Sequence, residues 1–387
     1  MSKEKFPIHQ FEHLQTPFYY YDLEVLRATI GEVRRYADTN NFRIHYALKA
    51  NNNSAVMREI KNAGFGADCV SGGEVQAAID AGIAPDKIVF AGVGKMDWEI
   101  NLGLDHNIFC FNVESIPELE VINDLAGKKN KTAQVALRIN PNVNAHTHHY
   151  ITTGLTENKF GINMSELDNV LELIPTLANV KLIGIHFHIG SQITDMTSFQ
   201  GLCVRVNEIQ DFFDSRRIVL NHINVGGGLG IDYEHPNHFP MPDFEAYFNI
   251  FRKLLNLRPH QTLHFELGRS IVGQCGTLIS RVIYVKQGTT KQFAILDAGF
   301  NDLIRPTLYQ AVHRIENLTS NLPEEKYDVV GPVCESADVF AKDYCLNKTT
   351  RGDIIALRSA GAYGETMVST YNMRSLPKAF TSDELEK

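Results

Sequence analysis

Positive charge is in deficit in this chain, with 37 Lys and Arg against 45 Asp and Glu and a formal net charge of −8. That balance argues against a nucleic-acid or anionic-membrane partner. Long hydrophobic runs are missing too, since no segment approaches the roughly 18 uninterrupted apolar residues of a spanning helix. The first ten residues mix Lys3, Glu4 and Lys5 with no apolar run behind them, so no targeting segment is read there and a cytoplasmic location is expected. Cysteine is scarce and scattered: Cys69, Cys110, Cys203, Cys275, Cys334 and Cys345 form no CxxC pair, which excludes a disulfide framework or zinc motif as the organising device and leaves reduced thiols as the default. Internal repeats and low-complexity segments are absent.

What is present is 387 residues, 44% hydrophobic and 21% charged, enough for two domains on a prior of about 150 residues each. Short apolar runs at 44–48, 67–70, 88–91, 108–111, 135–139, 182–187, 222–225 and 263–265 read as buried strands, and the gaps between them have room for crossover helices. Two gaps carry explicit helix signals. Ser71-Gly-Gly-Glu74 is a capping box closed by Gly82, and Pro242-Asp243 precedes Phe244, Phe248, Phe251 and Leu255 at helical spacing. Eight strand–helix units predict an α/β fold, a (β/α)8 TIM barrel over 24–268, whose strand ends would carry the site. An open doubly wound sheet is the rival reading. After Gly268 the texture changes to turn-bounded strands at 277–285, 293–296, 328–330 and 354–357, a mainly antiparallel, β-barrel-like domain of 269–387 joined by 1–23, whose strand at 17–22 would pair with it.

The polar residues concentrate at the ends of these strands. Lys49 leaves the first in an apolar setting, Tyr46-Ala-Leu-Lys-Ala-Asn51, that would lower its pKa and make it a nucleophile toward an aldehyde. Gly226-Gly-Gly228 follows the seventh, where barrels commonly hold a phosphate. Glu266 ends the eighth, where a carboxylate could keep a pyridine nitrogen protonated; an ion pair with a neighbouring Arg is the structural alternative. His186-Phe-His188 puts two imidazoles on one face, but no third ligand accompanies them and His146, His148 and His149 fall in a loop, so no metal is expected. A flat His188 against a cofactor ring, with Ser191 near a phosphate, fits better.

Together these elements resemble the fold-type III, pyridoxal-phosphate-dependent decarboxylases over nearly the whole chain. The matching motifs include Tyr46 to Asn51, Gly66-Ala-Asp-Cys-Val-Ser-Gly-Gly-Glu74, Lys159-Phe-Gly161, His186 to Gln192, Glu266-Leu-Gly-Arg269, Arg305-Pro-Thr-Leu-Tyr309, Gly331-Pro-Val-Cys-Glu335 with Asp338, and Gly361-Ala-Tyr-Gly364. The resemblance implies pyridoxal 5'-phosphate as cofactor, covalently held by Lys49, with Asp68 beside it, His188 stacked on its ring and Glu266 at its nitrogen. Ser191, Gly227, Gly228, Gly268, Arg269 and Tyr363 would hold the phosphate. It also implies a homodimer with shared active sites, in which Cys334, a proton donor, and Glu335 reach the partner's barrel. Arg269, Arg305, Tyr309, Glu335 and Tyr363 would grip the substrate, the two arginines and Tyr309 a second carboxylate that suits meso-diaminopimelate, giving lysine, better than ornithine, and Glu335 the distal ammonium. Decarboxylation of carboxynorspermidine, arginine or ornithine, a cofactor-free lysine aldolase and a non-catalytic homologue are the alternatives. Two positions depart from the family pattern: Leu267 stands where Pro is usual and Ala337 where Gly is usual. The second would be strained if it required a positive φ.

Overall fold

The computed structural model describes residues 6–143 and 159–385. After strand β1 (Phe18–Tyr21) come β2 (Arg43–Ala47), β3 (Gly66–Cys69), β4 (Ile88–Phe90), β5 (Cys110–Val113), β6 (Ala133–Arg138), β7 (Val180–His186), β8 (His222–Asn224) and β9 (Thr262–Leu267). From β2 to β9 each strand pairs in parallel with the next, and β9 returns to β2 with His264 opposite Arg43 and Glu266 opposite His45, closing an eight-stranded barrel. All eight sequence-expected strands are there, and the closed ring rules out the open doubly wound sheet. Burial is unbroken along β3, β4, β5 and β8. A parallel strand covered on both faces reads as a continuous apolar run rather than an alternation, which is why these segments stood out in the sequence.

The crossover helices follow local signals. Gly72–Asp80 is capped by Ser71, whose Oγ accepts from the Glu74 N–H at 3.2 Å, while Glu74 Oε2 reaches past the cap to the Val70 N–H at 2.8 Å. The helix stops before Gly82, which takes φ +80°. Phe244–Leu254 starts at Asp243, whose Oδ1 accepts from the Ala246 N–H, and buries Phe244, Tyr247, Phe248 and Phe251 on one face.

The rest of the described chain forms β10 (Gly276–Gln287), β11 (Gln292–Leu296), β12 (Ile315–Asn317), β13 (Glu324–Val330), β14 (Val339–Asn347), β15 (Ile354–Leu357) and β16 (Lys378–Thr381). With β1 they make an eight-stranded sheet in the order β12-β15-β10-β11-β13-β14, β1 being antiparallel to β10 and parallel to β16. Its core gathers Phe6, Phe11, Phe18, Tyr20, Ile279, Leu318, Ile354 and Ala356. Three of these strands, β12, β14 and β16, are absent from the sequence reading. β12 is only three residues long, β14 exposes Lys342 and Asp343 in mid-strand, and β16 is a mostly half-exposed four-residue segment, so none of them shows a buried apolar run.

The chain divides into a barrel unit, Ile30–Gly230 with Asp243–Gly268, and a β unit, Met1–Thr29 with Ile231–Pro242 and Arg269–Lys387. Residues 231–242, which the sequence reading put in the barrel, therefore belong to the β unit. The Tyr233 carbonyl accepts from the Arg314 N–H at 3.1 Å and the Asp232 carbonyl from Gln274 Nε2 at 3.4 Å. The start of the first long helix is held there as well, by Leu23 N–H to Ser382 Oγ at 3.1 Å and by the Arg27–Asp383 ion pair at 2.7 Å. All six cysteines are free thiols, buried except for Cys334 and Cys345. Among the described residues no helix is long and apolar enough to cross a membrane.

Close strand packing gives one test of the barrel. A Cβ on Gly184, in β7, would lie 1.9 Å from the His222 carbonyl of β8. Gly184→Ala is therefore expected to destabilise the protein by about 2 kcal/mol or more, since neither backbone can give way without breaking the ladder. Thermal unfolding followed by circular dichroism should show a fall of several degrees, and an unchanged midpoint would contradict the packing.

Candidate active site

The polar side chains of the barrel collect at the carboxyl ends of its strands. Lys49 lies two residues beyond β2 in a short 3-10 turn, Asp68 is third in β3, Asn112 third in β5, Arg138 last in β6, His186 last in β7, Asn224 last in β8 and Glu266 next to last in β9. Lys49 Nζ donates to Asp68 Oδ2 at 2.9 Å. The setting of Lys49 thus differs from the apolar one expected. Its side chain is 35% exposed and its charge is met by a fully buried carboxylate. Burial, reinforced by the charge of Glu266, pushes the Asp68 carboxyl up to about 6 against the pull of Lys49, and burial pushes Glu74 behind it up to about 7.

Glu266 is the most heavily bonded of these groups. Asn224 Nδ2 donates to Oε1 at 2.7 Å, Asn112 Nδ2 donates to Oε1 at 3.2 Å, and His186 Nε2 lies 2.9 Å from Oε2. Burial opposes its ionisation, but the hydrogen bond from His186 and the charge of Lys49 outweigh burial, and the carboxyl is held well below the usual range. A second buried carboxylate, Glu114, pairs with Arg138 at 2.7 Å and accepts the N–H groups of Gly92 at 3.0 Å and Gly161 at 2.9 Å. This accounts for the Lys159-Phe-Gly161 motif, whose Phe160 ring lies 4.7 Å from the Arg138 guanidinium. Burial holds the His188 imidazole well below its ordinary pKa, and hence neutral.

After β8 the chain turns through Gly226 at φ +70° and Gly228 at φ +103°. A Cβ on Gly227 would lie 1.9 Å from the Glu266 carbonyl, and one on Gly228 would lie 2.6 Å from that of Gly190. The loop holding Ser191 and the triple-glycine loop are packed backbone to backbone, with the Ile193 N–H donating to the Gly228 carbonyl at 2.8 Å. Only glycine fits, and such a loop can bring N–H groups close to a phosphate. Gly268 is likewise tight, its Cβ position 2.9 Å from Ala50 and 3.1 Å from Ala47 on the lysine turn.

In the β unit, Arg269 and Arg305 are both buried. Arg269 Nη1 donates to Tyr233 Oη at 2.5 Å, and its guanidinium lies 4.8 Å from the Tyr363 ring centroid. Arg305 Nη1 donates to His313 Nε2 at 2.7 Å and its guanidinium lies 4.6 Å from the Tyr233 ring. Burial and the charge of Arg305 bring His313 down to about 3, so the ring is neutral and accepts this bond, its other nitrogen donating to the Arg358 carbonyl at 2.8 Å. Tyr309 closes the same short helix, Arg305–Tyr309, and is half-buried. Tyr363 takes φ 56°, an uncommon backbone state for a tyrosine.

Cys334 and Glu335 are exposed in the same unit. Their loop is fastened by buried Asp338, which accepts the N–H groups of Phe300 at 2.7 Å and Val333 at 2.8 Å, and by Asn372 Oδ1, which accepts the Cys334 N–H at 3.3 Å. Tyr371 Oη donates to Glu335 at 2.7 Å. Ala337 is not among the residues with positive φ, so the substitution there carries no backbone strain. His146, His148 and His149 lie outside the described residues. The roles of Asn112, Asn224, Arg138, Glu114, Tyr233 and His313 were missed in the sequence reading, although Asn224 stands two residues before the triple glycine and His313 four after Tyr309.

The family model for the pyridoxal-dependent decarboxylase pyridoxal-binding domain matches residues 27–273. The diaminopimelate decarboxylase of Bacteroides thetaiotaomicron is 65% identical over 381 residues, 98% of this chain and 99% of that protein. The chain belongs to the diaminopimelate decarboxylase family. Among solved structures, the Helicobacter pylori diaminopimelate decarboxylase complexed with L-lysine superposes with a TM-score of 0.90 at 39% identity, covering 96% of this chain and 93% of that one. The diaminopimelate decarboxylase from M. jannaschii in complex with L-lysine gives a TM-score of 0.89 at 35% identity, covering 97% of this chain and 90% of that one. Members of this family use pyridoxal phosphate, and the barrel's residues fit it: an amine for its aldehyde, a glycine cradle for its phosphate and an ionised buried carboxylate for its ring nitrogen.

The Asp68 carboxyl gives a pH test. Its folded-state pKa of about 6 lies above the ordinary 3.8, so between these values the native state holds the extra proton and stability falls as pH rises. Asp68→Asn should match the wild type near pH 4 and exceed it above pH 6, by up to about 3 kcal/mol for a shift of this size. Thermal midpoints measured across pH check this, and a pH-independent difference would contradict it.

Proposed function

We propose that this enzyme converts meso-2,6-diaminopimelate to L-lysine and CO2, the last step in making lysine, as a cytoplasmic homodimer whose subunits complete each other's active sites. The substrate assignment is carried by buried Arg305, held between neutral His313 and the Tyr233 ring. A buried guanidinium with donors to share suits a carboxylate at the far end of the substrate. Ornithine, carboxynorspermidine and arginine each carry only the carboxylate that departs.

Pyridoxal phosphate, when bound, supplies the electron sink that accepts the charge left as CO2 departs. Lys49 would hold it through Nζ, and Asp68, 2.9 Å away, would hold or return the Nζ proton. Glu266 would hold negative charge toward the ring nitrogen, and the neutral His188 would pack against the ring. Ser191, Gly227, Gly228, Gly268, Arg269 and Tyr363 bind the phosphate. Arg305, Tyr309 and Arg269 hold the distal carboxylate, which keeps the L-configured end of the substrate away from the reacting carbon, and Glu335 takes the distal ammonium. Cys334 Sγ gives a proton to the carbon that has lost CO2. The exposure of Cys334 and Glu335 on a loop fastened by Asp338 supports their serving the partner subunit rather than their own.

Lys49→Ala should abolish lysine formation. Arg305→Ala should raise KM for meso-diaminopimelate about 10- to 100-fold with a much smaller effect on kcat, the loss of hydrogen bonds between charged groups. Steady-state kinetics decide it: turnover retained by the first variant, or an unchanged KM in the second, would overturn the assignment.

A further inference from the structure

The geometry around Glu266 points to a function for three residues that bind neither substrate nor phosphate. We propose that His186, together with Asn112 and Asn224, is a positioning residue for the cofactor's ring nitrogen: as a neutral imidazole it donates one hydrogen bond to Glu266, keeping that carboxylate ionised with its last lone pair free for the ring. This rests on the reading of Glu266 as the partner of that nitrogen.

The tautomer follows from the surroundings. His186 is 1% exposed, its Nε2 faces Glu266 Oε2 at 2.9 Å, and its buried Nδ1 has no hydrogen-bond partner among the described residues. An imidazolium would leave a charged N–H at Nδ1 with no acceptor, whereas the Nε2–H tautomer leaves only a bare lone pair there, the less costly of the two. The proton therefore sits on Nε2 and Glu266 keeps its full charge. Orientation of the amides is equally constrained. Asn224 Oδ1 accepts the Gly226 N–H at 2.9 Å, so its Nδ2 must be the atom that donates to Glu266. One side chain thereby ties the glycine cradle to the carboxylate and fixes the spacing between the two ends of the cofactor.

A carboxylate offers about four lone-pair positions. Asn112 and Asn224 take both on Oε1 and His186 takes one on Oε2, which leaves one on Oε2. The other titratable groups facing Glu266 are Lys49 and His45 from the β2 segment, Asp68 from β3, Cys110 from β5, His188 after β7 and His222 from β8. Burial holds His45, His188 and His222 below their ordinary range, so at neutral pH the cationic partner opposing Glu266 among these groups is Lys49, whose Nζ the cofactor claims. With the cofactor in place, the neutral donors would keep Glu266 ionised and aimed, so that the ring nitrogen rather than the carboxylate holds the shared proton.

The test uses the full-length enzyme reconstituted with pyridoxal phosphate carrying nitrogen-15 in the ring, read by NMR across pH 6 to 9, beside the cofactor dissociation constant. The wild type should keep its ring nitrogen protonated throughout. His186→Phe, which fills the space without a donor, should lose that proton at least one pH unit earlier and bind the cofactor about tenfold more weakly, as expected for one hydrogen bond to a charged group. His186→Gln, which restores an N–H near the same place, should behave as the wild type, and Asn112→Leu should shift in the same direction as His186→Phe. A folded His186→Phe protein with the wild-type nitrogen titration would overturn the proposal, as would equal losses in the Phe and Gln variants. An unprotonated ring nitrogen in the wild type would instead overturn the role of Glu266 itself.

Discussion

A negative charge buried at the end of a barrel strand is the constraint on which the rest of the barrel's chemistry depends. Glu266 is 5% exposed, and an isolated carboxylate so placed would take up a proton rather than stay charged. It stays ionised because donors reach it from β5, β7 and β8. Three strands must hold their register for those three bonds to form at once, and the closed ring of eight parallel pairs provides it. A one-residue slip in any of them would turn the donor to the other face of the strand.

The β unit solves the opposite problem, two buried positive charges. A phenol oxygen and a tyrosine face receive Arg269, and a neutral imidazole nitrogen and a tyrosine face receive Arg305. Aromatic faces and neutral acceptors shelter a guanidinium without neutralising it. The charge of Arg305, set against a neutral imidazole and an aromatic face, therefore suits an anionic group of a substrate, whereas a carboxylate partner would have cancelled it. Tyr233 serves both arginines, which explains why the segment from Ile231 to Pro242 belongs with this unit although it follows a barrel strand in sequence.

Much of the barrel was legible because its physics is local. Parallel strands buried on both faces are continuous apolar runs, and the helices between them announce themselves through Ser71, Asp243 and their partners. Lys49, Asp68 and Glu266 could be singled out because charged residues are unexpected in or at the end of such runs. The donors to Glu266 could not, since an Asn or His at a strand end has no distinctive spacing and becomes meaningful only when the barrel brings residues 112, 186, 224 and 266 together. The same holds for His313, whose value lies in accepting a bond from an arginine eight residues earlier in the chain. In the β unit, short or half-exposed strands such as β12 and β14 lack the pattern that made the barrel readable.

Lysine formation from meso-diaminopimelate is tied to three features: an amine opposed by a buried carboxylate, an ionised Glu266 held by donors from three strands, and the buried Arg305 guanidinium set against a neutral imidazole in the β unit. The most direct measurement is product analysis of the purified protein supplied with pyridoxal phosphate and either meso-diaminopimelate or ornithine. Equal amounts of CO2 and L-lysine from the first, with no amine from the second, is the predicted result. No lysine from meso-diaminopimelate, or faster release of CO2 from ornithine, would contradict the account.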